Sequence, residues 1–115
     1  MSSKTPAIPP AEALALDTLV KPIEQGIASR VLARTAGGNV TLFALDAGQE
    51  LSEHTAPFDA LVMVLEGTLT LTIGGTPVRA VAGTTVRMPA HVPHAVEADE
   101  AARMLLIMLR DRQET

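Results

Sequence analysis

Apolar and polar positions alternate along most of this chain in runs too short to be helices. Residues 68–73 (TLTLTI) set the pattern: Thr68, Thr70 and Thr72 fall on one face of an extended strand, and Leu69, Leu71 and Ile73 on the other. The threonine face reads as solvated. Residues 27–34 (IASRVLAR), 40–45 (VTLFAL), 51–54, 77–81, 85–88 and 93–97 have a similar period or a β-branched composition. Glycine, proline or aspartate turn signals separate these segments. Two runs, 60–65 (ALVMVL) and 103–110 (RMLLIMLR), are apolar at successive positions, as in strands buried on both faces. Gly74-Gly75 predicts a tight hairpin between 68–73 and 77–81. Residues 11–20 (AEALALDTLV) are ambiguous between a helical turn and an edge strand, and read as an arm that packs on the body or on a second copy. Many short strands and no convincing long helix predict an all-β antiparallel sandwich or barrel.

Composition narrows this. A chain of 115 residues supports one core, and 47% apolar against 19% charged residues makes it globular. The expected organisation is a flexible N-terminal tail over residues 1–10, one domain over 11–110 and a C-terminal tail over 111–115. The net charge of -4 with no basic cluster leaves no footprint for nucleic acid or an anionic membrane, so neither is an expected partner. No apolar run approaches a membrane span. The absence of cysteine removes disulfide and thiolate chemistry and suits a cytoplasmic location. Phe43 and Phe58 are the only aromatic residues, so a base-stacking or sugar-stacking platform is not expected. Met63, Met88, Met104 and Met108 read as core filler rather than copper ligands.

Candidate chemistry is confined to two stretches that hold all the histidines. GQELSEHTAPFDALVMVLEG, residues 48–67, carries His54, and GTTVRMPAHVPHAV, residues 83–96, carries His91 and His94. Each has a turn glycine, a short strand and a proline break. Imidazole is the commonest metal ligand and also a versatile hydrogen-bonding group. His54 and His94 therefore read as metal or ligand contacts, or as vestigial histidines hydrogen-bonded in a pocket. His91 lies three residues from His94, which turns it to the opposite strand face unless Val92-Pro93 bends the chain. Asp59 is the available carboxylate, although it also fits a turn or rim position. No Ser-His-Asp arrangement or carboxylate pair is visible. Gly37-Gly38 and Gly74-Gly75 are turns rather than phosphate loops.

In these residues the chain resembles the small single-domain cupins of the RmlC-like, conserved-barrel type. The first cupin motif runs glycine, five residues, His-x-His, three or four residues, glutamate, six residues, glycine. Gly48, His54 and Gly67 stand at its positions, while its second histidine falls on Ala56 and its glutamate on Ala60. In the second motif Gly83, Pro89 and His94 match; His91 replaces a glycine and Ala98 an asparagine. The resemblance implies a double-stranded β-helix, a jelly-roll barrel of two antiparallel sheets with a pocket between them. Cupin metals are typically held by three imidazoles and a carboxylate. The implied cofactor is a divalent transition metal (Zn, Ni, Fe, Mn or Cu), weakly held by His54, His94 and His91, with Asp59 as a further candidate. The expected function is binding of a small molecule, a metal or both in the barrel pocket, with no reaction assigned. The alternative is a metal-dependent enzyme of the dioxygenase, isomerase or decarboxylase type. His54 and His94 are expected to point into one pocket. A homodimer is expected to cover the apolar outer surface of strands greasy on both faces.

Overall fold

The strand-forming runs close into a two-sheet jelly roll in a computed structural model that describes residues 7–110. The strands are β1 (Ile27–Thr35), β2 (Gly38–Leu45), β3 (Glu50–His54), β4 (Asp59–Glu66), β5 (Thr68–Ile73), β6 (Thr76–Val81), β7 (Thr85–Met88), β8 (His94–Ala98) and β9 (Ala102–Leu109). One sheet has the order β1-β2-β9-β4-β7 and the other β3-β8-β5-β6, with every pairing antiparallel. The fold thus agrees with the expected barrel. Of the expected tails, residues 1–6 and 111–115 lie outside the described residues.

The two-residue period explains the core. Val62, Val64 and Met104 project from the five-stranded sheet, and Leu69, Leu71 and Val96 from the four-stranded one; all are 2% exposed or less. Burying each large side chain is worth about 1.5–3 kcal/mol. A second apolar cluster, on the outer face of the five-stranded sheet, joins Leu32, Leu42 and Ala44 to Val20, with Ile8 and Leu19 packed against it. The arm therefore lies on the body of its own chain. Residues 11–20 form neither a strand nor an α-helix. They contain one 3-10 turn, Leu16–Thr18, closed by the Thr18 hydroxyl donating to the Ala15 carbonyl at 2.7 Å. Arg30 and Arg103 donate to the carbonyls of Leu19 and Val20 at 3.4 and 3.1 Å, and the Ile8 N–H donates to the Leu32 carbonyl at 3.0 Å.

Two expectations about faces change. The threonine face of β5 is not simply solvated: Thr68 is buried, and its hydroxyl donates to Glu100 at 2.8 Å while Thr70 donates to Asp99 at 2.8 Å. The acidic bend between β8 and β9 folds over these hydroxyls, a long-range contact that local alternation does not encode. The other change concerns the strands apolar at successive positions. Their inner faces are buried except at Leu106 and Met108, which are half-buried; on the outer face Leu61, Leu105 and Ile107 are half-buried, and Met63 and Leu109 are 38% and 45% exposed.

The turn from β4 to β5 rests on Gly67, whose φ of 77° lies in the left-handed region. A Cβ there would collide with the carbonyl of Ala101, where the chain enters β9. Gly67→Ala combines backbone strain with that clash, and is expected to destabilise the fold by about 3 kcal/mol in denaturant titration. A loss below about 0.5 kcal/mol would contradict the assigned turn geometry.

Candidate functional site

His54 ends β3 and His94 begins β8, and these strands are neighbours in the four-stranded sheet. The ladder carries an irregularity between Leu51 and His54, after which His54 stands directly opposite His94. Residues paired in register share a face, so the two side chains come together. Their ring centroids are 4.4 Å apart with an interplanar angle of 72°, and the two Nε2 atoms are 3.1 Å apart. His94 is only 5% exposed, whereas His54 sits at the exposed mouth.

The outer ring nitrogens decide what this pair offers. His54 Nδ1 lies 2.8 Å from the Ser52 carbonyl oxygen, and His94 Nδ1 lies 3.2 Å from that of Val92. A carbonyl only accepts, so a hydrogen bond at either Nδ1 requires the proton to be on that nitrogen. In the tautomers that make both of these bonds, the two Nε2 atoms, 3.1 Å apart, are acceptors facing each other; an Nε2–H on either ring would instead bond to the other ring and give up its carbonyl. Such a pair is completed by something electron-poor: a donor O–H or N–H, a proton or a metal ion. Burial pushes the His94 pKa below the ordinary 6.5, and positive charge on His54 pushes the same way; the bond to the Val92 carbonyl opposes them. The pair thus favours a neutral donor or a metal over a shared proton.

The imidazoles open into a cavity of about 50 Å³, lined by apolar groups that include Ala56, Phe58, Ala60, Met104, Leu106 and Met108. The two rings are its sole polar side chains. Ala56 and Ala60, at the motif positions of the second histidine and the glutamate, reach the cavity with methyl groups. The other sequence candidates do not join it. His91 is exposed on the turn before β8, with a φ of 67° and its backbone N–H given to the Ala56 carbonyl at 2.7 Å. The bend that was needed to turn it inward points it away instead. Asp59, one residue before Ala60, lies on the opposite face of β4. It accepts from the Ala90 N–H and from Arg87, both at 2.8 Å. These bonds, the backbone one foremost, hold its carboxyl below the usual carboxylate range.

A metal fits this donor set only in part. The Nδ1–H to carbonyl bonds orient the rings as imidazole ligands are commonly oriented, but about three protein donors are needed to hold a divalent ion well. Among the described residues no group of three histidine, cysteine, aspartate or glutamate side chains is placed to hold one. Sequence reasoning missed the floor contributed by Met104, Leu106 and Met108. Their alternation along β9 was visible, but which face looked inward was not.

Comparison with known proteins places this geometry in context. Residues 41–108 match the Cupin domain family. A conserved protein of unknown function from Streptococcus pyogenes is similar over nearly the whole length of both chains: 36% identity, 97% of this chain and 98% of the other, TM-score 0.88. A cupin superfamily protein from Desulfitobacterium hafniense is 27% identical over 95% of this chain and all of its own, with a TM-score of 0.85. A cupin 2 conserved barrel domain protein from Leptotrichia buccalis is 36% identical over 81% of this chain and 45% of its own, with a TM-score of 0.78. No curated protein matches the chain.

The buried imidazole has a consequence for stability. In the unfolded chain His94 titrates near 6.5, and in the fold its pKa is lower, so the unfolded state binds the proton first. The stabilisation from a neutral His94 is complete above about 6.5 and is lost as pH falls from there through the folded pKa. Unfolding free energies measured at pH steps from about 8 to about 5 should fall more for the wild type than for His94→Asn. Parallel curves for the two proteins would contradict a depressed pKa.

Proposed function

The chain belongs to the cupin domain family, and from that premise we propose that its barrel pocket binds a small, largely apolar molecule anchored by a hydrogen-bond donor on the His54–His94 pair. Both Nδ1 atoms lie beside carbonyls, and the observation that carries this reading is the pair of Nε2 atoms 3.1 Å apart in an otherwise apolar cavity. A ligand hydroxyl or amide seated against them supplies the missing donor, while its body replaces water along Phe58, Leu106 and Met108. Desolvated sites of this kind gain specificity from few polar groups, because an unmade bond there is expensive. The absence of cysteine is consistent with a cytoplasmic setting, and no helix among the described residues is long and apolar enough to cross a membrane.

A second reading, a metal-dependent cupin enzyme, is favoured by the Nδ1–H to carbonyl bonds that orient both rings. With Ala56 and Ala60 at the remaining motif positions, only two nitrogens are offered, and no catalytic step is assigned through a metal. Any ion held would be a transition metal such as zinc, nickel, iron, manganese or copper, because the donors are nitrogens.

We further propose that the apolar outer face of β4 and β9 pairs with a second copy. Leu61, Met63, Leu105, Ile107 and Leu109 form a continuous surface there, supported by the registers Leu61↔Ile107 and Met63↔Leu105. A two-fold axis through it would set like residues against like and remove the exposed apolar area from water.

Three outcomes follow. Titration with ethanol, small enough for a cavity of about 50 Å³, should shift the methyl resonances of Met104, Leu106 and Met108, and His94→Ala should weaken binding about five- to tenfold. Shifts confined to other parts of the barrel would count against the pocket. Calorimetry with zinc or nickel should give no stoichiometric binding at micromolar protein. Tight binding abolished by His94→Ala would instead put the metal-enzyme reading first. Light scattering at micromolar concentration should give a dimer that Met63→Glu dissociates; a monomeric wild type would exclude the outer-face pairing.

A further inference from the structure

Where the hairpin of β1 and β2 meets the end of β9, a second hollow of about 400 Å³ is lined by Arg34, Thr35, Ala36, Asn39 and Arg110. Two guanidinium groups and a carboxamide border it, and none of its lining residues is acidic. Among the described residues, neither Arg34 nor Arg110 is in a salt bridge; those formed are Arg87 with Asp59 and Arg103 with Glu66.

Backbone register ties this hollow to the imidazole cavity. Arg34 stands opposite Asn39, and Asn39 opposite Met108, so all three share the inner side of the five-stranded sheet. Met108 is part of the cavity wall. Arg110 follows it by two residues, a rise of about 7 Å along an extended chain. The Arg110 guanidinium carbon lies 5.1 Å from the centroid of the Phe58 ring, and Phe58 also lines the cavity. Phe58 is therefore a wall common to the apolar cavity and the cationic rim, and its π face holds the Arg110 side chain in place.

We propose that Arg34, Asn39 and Arg110 form a carboxylate subsite of the same pocket, so that its ligand is a small molecule with an anionic end as well as a donor group. The ligand's carboxylate lies between the two guanidiniums, whose planar arrays of N–H donors match its two oxygens, and the Asn39 amide offers a further donor. Its short apolar body runs past Phe58 and Met108, and its donor group reaches the His54–His94 pair. The acidic overall charge of the chain makes this local cationic rim a selective feature rather than part of a general basic surface. The proposal rests on reading the cavity as a ligand pocket.

Two probes of equal length separate the claims: ω-hydroxyhexanoate and hexanediol, which share a hydroxyl and a six-carbon chain and differ in the anionic end. Calorimetry at low salt and about pH 7.5 should show the hydroxyacid binding about tenfold more tightly than the diol. In the Arg34→Gln/Arg110→Gln protein that advantage should disappear, with circular dichroism and an unchanged melting temperature verifying that the double variant is folded. Added salt should erode the advantage in the wild type. Equal affinity of the two probes for the wild type, or an advantage that survives the double substitution, overturns the carboxylate subsite and leaves the cavity reading standing. Failure of both probes to bind overturns the two together.

Discussion

One cross-strand contact governs the pocket. His54 and His94 are forced opposite each other by the pairing of β3 with β8, and both outer nitrogens are committed to carbonyls two residues back in the chain. Neither ring is free to present an N–H to the other without giving up one of those bonds. The site is thus built short of a donor. A buried polar group left unpaired costs about 1–3 kcal/mol, and that deficit is what a bound molecule with a hydroxyl or amide would remove. The surrounding methyl and thioether groups strengthen the effect at the buried His94, whereas His54 at the mouth is open to water.

The fold was legible because a strand repeats every two residues and glycine punctuates it. The alternation in residues 68–73 and the runs at 60–65 and 103–110 follow directly from which side chains must face a core. Gly67 marks a turn that a side chain would block. The motif spacings also identified His54 and His94 as the residues to watch, since turn glycines and proline breaks locate strand ends.

What stayed hidden depended on contacts between distant segments. The spacing of His91 from His94 left its direction to a bend at Val92-Pro93, and the backbone there takes it outward. Asp59 was a plausible donor until its bonds to Arg87 and the Ala90 N–H were seen. The capping of Thr68 and Thr70 by the bend at Asp99 and Glu100 spans about thirty residues, beyond the reach of any periodicity argument. The cationic rim was equally invisible: Arg34 and Arg110 are far apart in sequence, and only the β1–β2–β9 register brings them to one hollow. An analogous separation governs the arm, whose apolar residues find their partners on β1 and β2.

The central claim concerns proton positions, and long-range nitrogen NMR of the two imidazoles tests it most directly. At about pH 8, both His54 and His94 should show the tautomer protonated at Nδ1, with Nε2 of each acting as an acceptor. A spectrum with either ring protonated at Nε2 would mean that the pair satisfies itself by an internal hydrogen bond. That result would contradict a site built to receive a donor.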